Sequence, residues 1–97
     1  MRNYEIMYIV NANLDDASRQ TLVDSLHAII TNDGGVIKHT DEWGVREYAY
    51  PINDVNKGYY MVLKVEAKPE TVKEFDRLAR IDSNVVRFLV LNLDELN

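Results

Sequence analysis

Residues 57–69 read Lys57-Gly58-Tyr59-Tyr60-Met61-Val62-Leu63-Lys64-Val65-Glu66-Ala67-Lys68-Pro69. From Tyr59 to Ala67 the stretch is rich in aromatic and β-branched residues and reads as a strand. Tyr59, Met61, Leu63 and Val65 are together more apolar than Tyr60, Val62, Lys64 and Glu66, so one face of this strand is buried and the other open. Pro69 then suits the first turn of a helix. Val72, Phe75, Leu78 and Ala79 follow at helical spacing and give that helix one apolar face. A half-covered strand running into an amphipathic helix is the unit on which the rest is built.

Upstream, Asn53 to Gly58 reads as a polar loop, and Val36 to Arg46 as a strand anchored by Val36, Ile37 and Trp43. Gly44 marks a bend or bulge in it. Tyr48-Ala49-Tyr50-Pro51-Ile52 continues extended, with Pro51 at an edge or strand exit. Before that, Asp15 and Asp16 open a helix whose positive end favours acids. Leu22, Leu26, Ile29 and Ile30 form its apolar stripe, and Asn32-Asp33-Gly34-Gly35 ends it with a glycine cap. Asn3 to Val10 is a strand with Tyr4, Ile6, Tyr8 and Val10 on the buried side. Downstream, Asp82-Ser83-Asn84 is a turn. Val85 to Leu91 is the last strand, with Val86, Phe88 and Val90 assigned to the core against Val85, Arg87, Leu89 and Leu91. The order β-α-β-β-α-β is an α+β, ferredoxin-like arrangement: a four-stranded antiparallel sheet with two helices on one face. We expect a single such domain over 1–97.

The chain has 97 residues with a net charge of −5 and no cysteine, so a disulfide framework or thiolate metal site is excluded. No apolar run approaches the roughly 20 residues of a membrane span. No signal-peptide core follows Met1. The acidic balance argues against nucleic acid, because phosphate neutralisation drives such affinity. Catalytic readings find no support in the sequence. His27 and His39 lack a neighbouring His, Cys or Asp/Glu pattern at metal-ligand spacing. Asp41 and Glu42 are adjacent on a strand and point to opposite faces. Gly34-Gly35 follows a helix and cannot present a helix N-terminus to phosphate. No catalytic residue, metal or cofactor is expected.

Lys57-Gly58-Tyr59-Tyr60-Met61-Val62 and Met7-Tyr8-Ile9-Val10-Asn11 imitate the two short motifs of an RNA-recognition motif, which stacks bases on aromatics of its open sheet face. The matching positions here, Tyr59 and Met61, share parity with Leu63 and Val65 and point into the core. That reading is rejected. The open face instead offers Met7, Ile9, Tyr60, Val62, Leu89 and Leu91, an apolar patch that suits a protein partner. Arg2, Arg46, Arg80 and Arg87 fall at element ends or on that face, where a guanidinium fork can meet phosphate.

Four ordered pieces resemble one family. Met1-Arg2-x-Tyr4-Glu5 is similar to the opening of bacterial small-subunit ribosomal protein S-six. Trp43-Gly44, Arg46 and Ala49-Tyr50-Pro51-Ile52 resemble its central signature, and Gly58-Tyr59 and Asn84-Val85-x-Arg87 its last two strand openings. The resemblance covers the whole chain. It implies the ferredoxin-like fold and a structural, non-enzymatic protein of the cytoplasmic ribosome. It also implies binding to the central domain of small-subunit rRNA, as a heterodimer with ribosomal protein S-eighteen, through Arg2, Arg46, Arg80 and Arg87. Departures are visible: Arg46 is flanked by Val45 and Glu47, and Asp54, Asp82 and Val86 stand where other members carry basic residues. Fewer cations imply fewer phosphate contacts and a larger share for a basic partner. Two other classes suit the same fold: a module that homodimerises through its open face around a metabolite, and an acylphosphatase-like enzyme.

Overall fold

β1 (Arg2–Asn11) and β3 (Val55–Ala67) pair antiparallel from Arg2 opposite Ala67 to Asn11 opposite Gly58. The apolar residues of both strands therefore fall on the same side. Tyr4, Ile6, Tyr8 and Val10 are buried with Tyr59, Met61, Leu63 and Val65. β2 (Val36–Ile52) and β4 (Val85–Asn92) add at the edges, giving the order β2-β3-β1-β4. α1 (Asp16–Asn32) and α2 (Pro69–Ile81) close the same face, and a 3-10 turn, Leu93–Leu96, follows β4. The chain is described by a computed structural model covering the backbone of residues 1–52 and 55–96 and the side chains of 1–47 and 57–94. Its element order and antiparallel sheet are those read from the sequence.

The helices seat Val23, Leu26 and Ile30 of α1 and Val72, Phe75 and Ala79 of α2 in the core. Leu22 and Ile29 pack at its margin, so the α1 stripe is rotated slightly from the expected one and includes Val23. The Phe75 ring meets Tyr8 at 6.4 Å and Phe88 edge-on at 6.3 Å between centroids. α1 ends as expected, in a reciprocal glycine cap: Gly34 N–H donates to Thr31 O and Gly35 N–H to Ile30 O, with Gly34 at φ 83°. Beside this cap the Asp33 carboxylate accepts a 2.6 Å hydrogen bond from the buried Thr71 hydroxyl. The Thr71 hydroxyl, with Lys68 nearby, holds the Asp33 carboxyl below the usual carboxylate range. The contact ties the end of α1 to the start of α2.

Three expectations are corrected. β3 begins at Val55, so residues 55–58 belong to the strand and not to a polar loop; Asn53 and Asp54 lie outside the described residues. β4 carries a bulge: Arg87 lies opposite Ile9, but Val85, two residues back, lies opposite Val10. The extra residue, Val86, shifts the alternation, so Val85 and not Val86 packs against the core. On the open face, Ile9 (4 % exposed) and Val62 (8 %) are mostly covered by their neighbours and contribute little surface. Ile9 is flanked across the strands by Tyr60 and Arg87, and Val62 by Met7 on one side.

His27, on α1, is half-buried, and its Nε2 shares a 2.8 Å hydrogen bond with the hydroxyl of fully buried Tyr8. Burial pushes the Tyr8 hydroxyl pKa up and the His27 pKa below its ordinary value of 6.5, with Asp24 opposing the latter shift. An imidazole whose folded pKa is depressed contributes stability at pH above the unfolded pKa. That contribution is lost as pH falls below it, because the unfolded chain takes up the proton first. Melting temperature is therefore expected to fall as pH drops through the ordinary histidine value of 6.5, and less steeply in His27→Gln. Equal slopes in the two proteins would refute this role.

Candidate functional site

The sheet face away from the helices is laid out in rows by the strand register. One row runs His39, Lys64, Glu5, Leu91; the next Asp41, Val62, Met7, Leu89; the next Gly44, Tyr60, Ile9, Arg87; and the last begins Arg46, Gly58, Asn11. The charges are thus segregated along the strands. At one end Lys38 pairs with Glu66 at 2.8 Å and donates to Asn3, while Asp94 accepts from the backbone and side chain of Asn3. At the other end stand Arg46 and Arg87, both exposed. Between them the apolar side chains Met7, Trp43, Leu89 and Leu91 share the face with Lys64, Glu5 and Asp41.

The sequence reading missed one contributor to that apolar centre. The sequence marks Trp43 as an apolar anchor of β2 without assigning its face. Trp43 is the residue looped out where the register slips between Glu42 and Gly44, and Gly44 takes φ 77° to permit it. The indole comes to lie on the open face, stacked on Tyr60 at 6.1 Å and 12° between ring planes. Its Nε1–H donates to Asp41 at 3.1 Å. Trp43 is 43 % exposed, Leu89 49 % and Leu91 39 %. With Met7, Val62 and Glu5 they line a depression of about 130 Å³. The signal available in the sequence was Gly44 itself, which marked the bulge but not the side to which Trp43 would turn.

The four candidate arginines do not converge on one point. Arg46 and Arg87 share an end of the open face but sit on opposite edge strands, about 14 Å apart at three strand spacings. Arg80, on α2, bonds Asp76 at 2.9 Å, and its guanidinium lies 5.5 Å from the centre of the Phe88 ring. It lines a groove between α2 and β4 with Lys73 and Phe88, on the other side of β4 from Arg87. Arg2 is exposed at the far end of β1, seven residues or about 23 Å from the row of Arg87. Such a spread suits an extended polyanion more than a small phosphate ligand.

His27, Thr40 and Glu42 line a polar recess between α1 and β2, together with Arg19 and Asp24. Arg19 is held there by Asp16 at 2.8 Å and by the Tyr59 ring, 4.3 Å from its guanidinium carbon. Among the described residues no three His, Cys, Asp or Glu side chains group as a metal site, and no helix is long and apolar enough to cross a membrane.

Comparison with known proteins decides the family. The profile described as Ribosomal protein S6 matches residues 3–92. The chain belongs to the ribosomal protein S6 family. The small ribosomal subunit protein bS6 of Clostridium novyi is 44 % identical over 92 residues, covering 95 % of this chain and 97 % of that protein. The crystal structure of 30S ribosomal protein S6 from Thermotoga maritima superposes with a TM-score of 0.90 at 27 % identity, covering 98 % of this chain and 90 % of that one. Family membership makes this chain a structural component of the small ribosomal subunit in the cytoplasm, and not an enzyme.

Proposed function

We propose that within the small subunit this chain binds the central domain of the rRNA as one half of a pair with ribosomal protein S-eighteen. The observation that supports this most is the division of one sheet face into an arginine-bearing end (Arg46, Arg87) and an apolar centre (Met7, Trp43, Leu89, Leu91). The first suits phosphate, the second a protein. Arg80 and Arg2 extend the phosphate-contacting surface around β4 and along β1. A net charge of −5 makes the chain a weak RNA ligand on its own, so the basic partner supplies much of the neutralising charge.

The test is binding to a central-domain rRNA fragment, with and without the partner, over a range of salt. Arg46→Ala and Arg87→Ala are each expected to weaken the ternary complex and to lower the salt slope by about 1, alike on matched and mismatched RNA sequences. Binding as tight without the partner as with it, or unaltered slopes in both variants, would overturn the proposal.

A further inference from the structure

The depression beneath Trp43 has the character of an anchor site. Its walls are Met7, Val62, Leu89 and Leu91 with the indole above them, and Glu5 stands at its rim. Its volume of about 130 Å³ is close to that of a cavity that accepts benzene, roughly 150 Å³. It has room for one leucine- or phenylalanine-sized side chain. The site is built on strands, and Trp43 is fixed on two sides, by the Tyr60 stack and by the Asp41 carboxylate. Little ordering remains to be done when something enters.

We infer that this depression takes a single bulky apolar side chain from a basic segment of the protein partner, with a cation beside that side chain meeting Glu5. The inference rests on the reading that such a partner docks on the open face, and it adds which part of the face provides the anchor and what chemistry it accepts. Charge selects the occupant. Glu5 and Asp41 stand in the rows of the depression, with Lys64 opposite Glu5 and Arg87 in the row beyond Leu89, so the local charges nearly balance and the net charge of −5 on the chain decides. A second copy of this chain would bring −5 against −5 and set these acids against their own symmetry mates. A basic segment meets the opposite field.

Trp43 is the only tryptophan, so its emission reports the site directly in the full chain. Titration with purified ribosomal protein S-eighteen is expected to blue-shift that emission and protect it from acrylamide. Leu89→Asp, at a half-exposed position, is expected to weaken partner binding about tenfold or more. Met7→Asp is expected to do the same, and Glu5→Gln to weaken binding less and make it less salt-sensitive. Thermal melts check that each variant is folded. Leu89→Ser, which adds no charge, replaces any variant that is not. Wild-type affinity in folded Leu89 and Met7 variants, with Trp43 emission unmoved on binding, would overturn the anchor and leave the paired rRNA function standing. The same blue shift on raising the concentration of this chain alone would assign the depression to a second copy and also overturn it. No binding of the partner by the wild-type chain would overturn both readings.

Discussion

Phe75→Ala is expected to destabilise the fold by about 3–5 kcal/mol, the range for deleting a buried aromatic ring. Phe75 is fully buried and touches elements on two sides: the Tyr8 ring on β1 and the edge of the Phe88 ring on β4. The void would open between α2 and the sheet, where backbone on both sides is held by regular hydrogen bonding and collapse is limited. For a chain of this size the loss corresponds to a fall in melting temperature of more than about 10 °C. Urea unfolding measures it, and a loss below about 1 kcal/mol would mean that α2 is not seated as described.

Gly35→Ala is expected to cost about 1–3 kcal/mol through overpacking. A Cβ there would lie 2.7 Å from Ile30 O and 2.8 Å from Ile30 Cγ2, with the Ala67 Cβ at 3.3 Å behind them. All three atoms belong to backbone or to the buried core, so they cannot move aside cheaply. Gly34, one residue earlier, has nothing within 4 Å of the same position and is constrained only by its positive φ. The two glycines therefore separate by rescue. Asparagine tolerates the left-handed region and should recover most of the stability lost in Gly34→Ala, but it should recover none at position 35. Equal rescue at both sites, read by thermal melts, would show that conformation and not crowding governs the cap.

These features differ in how plainly the sequence carries them. On β1 and β3 the alternation is unambiguous because charged residues such as Glu5, Lys64 and Glu66 mark the open face, and the register of Ile6 opposite Leu63 follows. The glycine cap after Asn32 is equally plain. β4 is not, because Val85 and Val86 are the same residue type and composition cannot say which is looped out. The pairing of Val10 with Val85 decides it, and that is a property of the neighbouring strand. Trp43 is ambiguous for another reason: it reads as an apolar anchor of β2, and only the bulge at Gly44 decides the face to which it turns. Ile9 and Val62 are apolar on the open side, as expected, but their exposure depends on the size of side chains three strands wide. The arginines were visible individually. Their separation by strand order was not.

The bulges in β2 have one more consequence. β2 runs from Val36 to Ile52 at the margin of the sheet and pairs only with β3 among the described residues. A long straight margin of this kind exposes unpaired backbone amides and carbonyls on which a neighbouring molecule can build another strand, the first step toward aggregation. Here the register slips twice in the first nine residues, between Ile37 and His39 and again between Glu42 and Gly44. Each slip bends the strand and breaks its spacing of free hydrogen-bonding groups. The irregularity that turns Trp43 onto the open face therefore also makes this margin a poor template for polymerisation, a safeguard for a chain that must stay dispersed while its apolar face is uncovered.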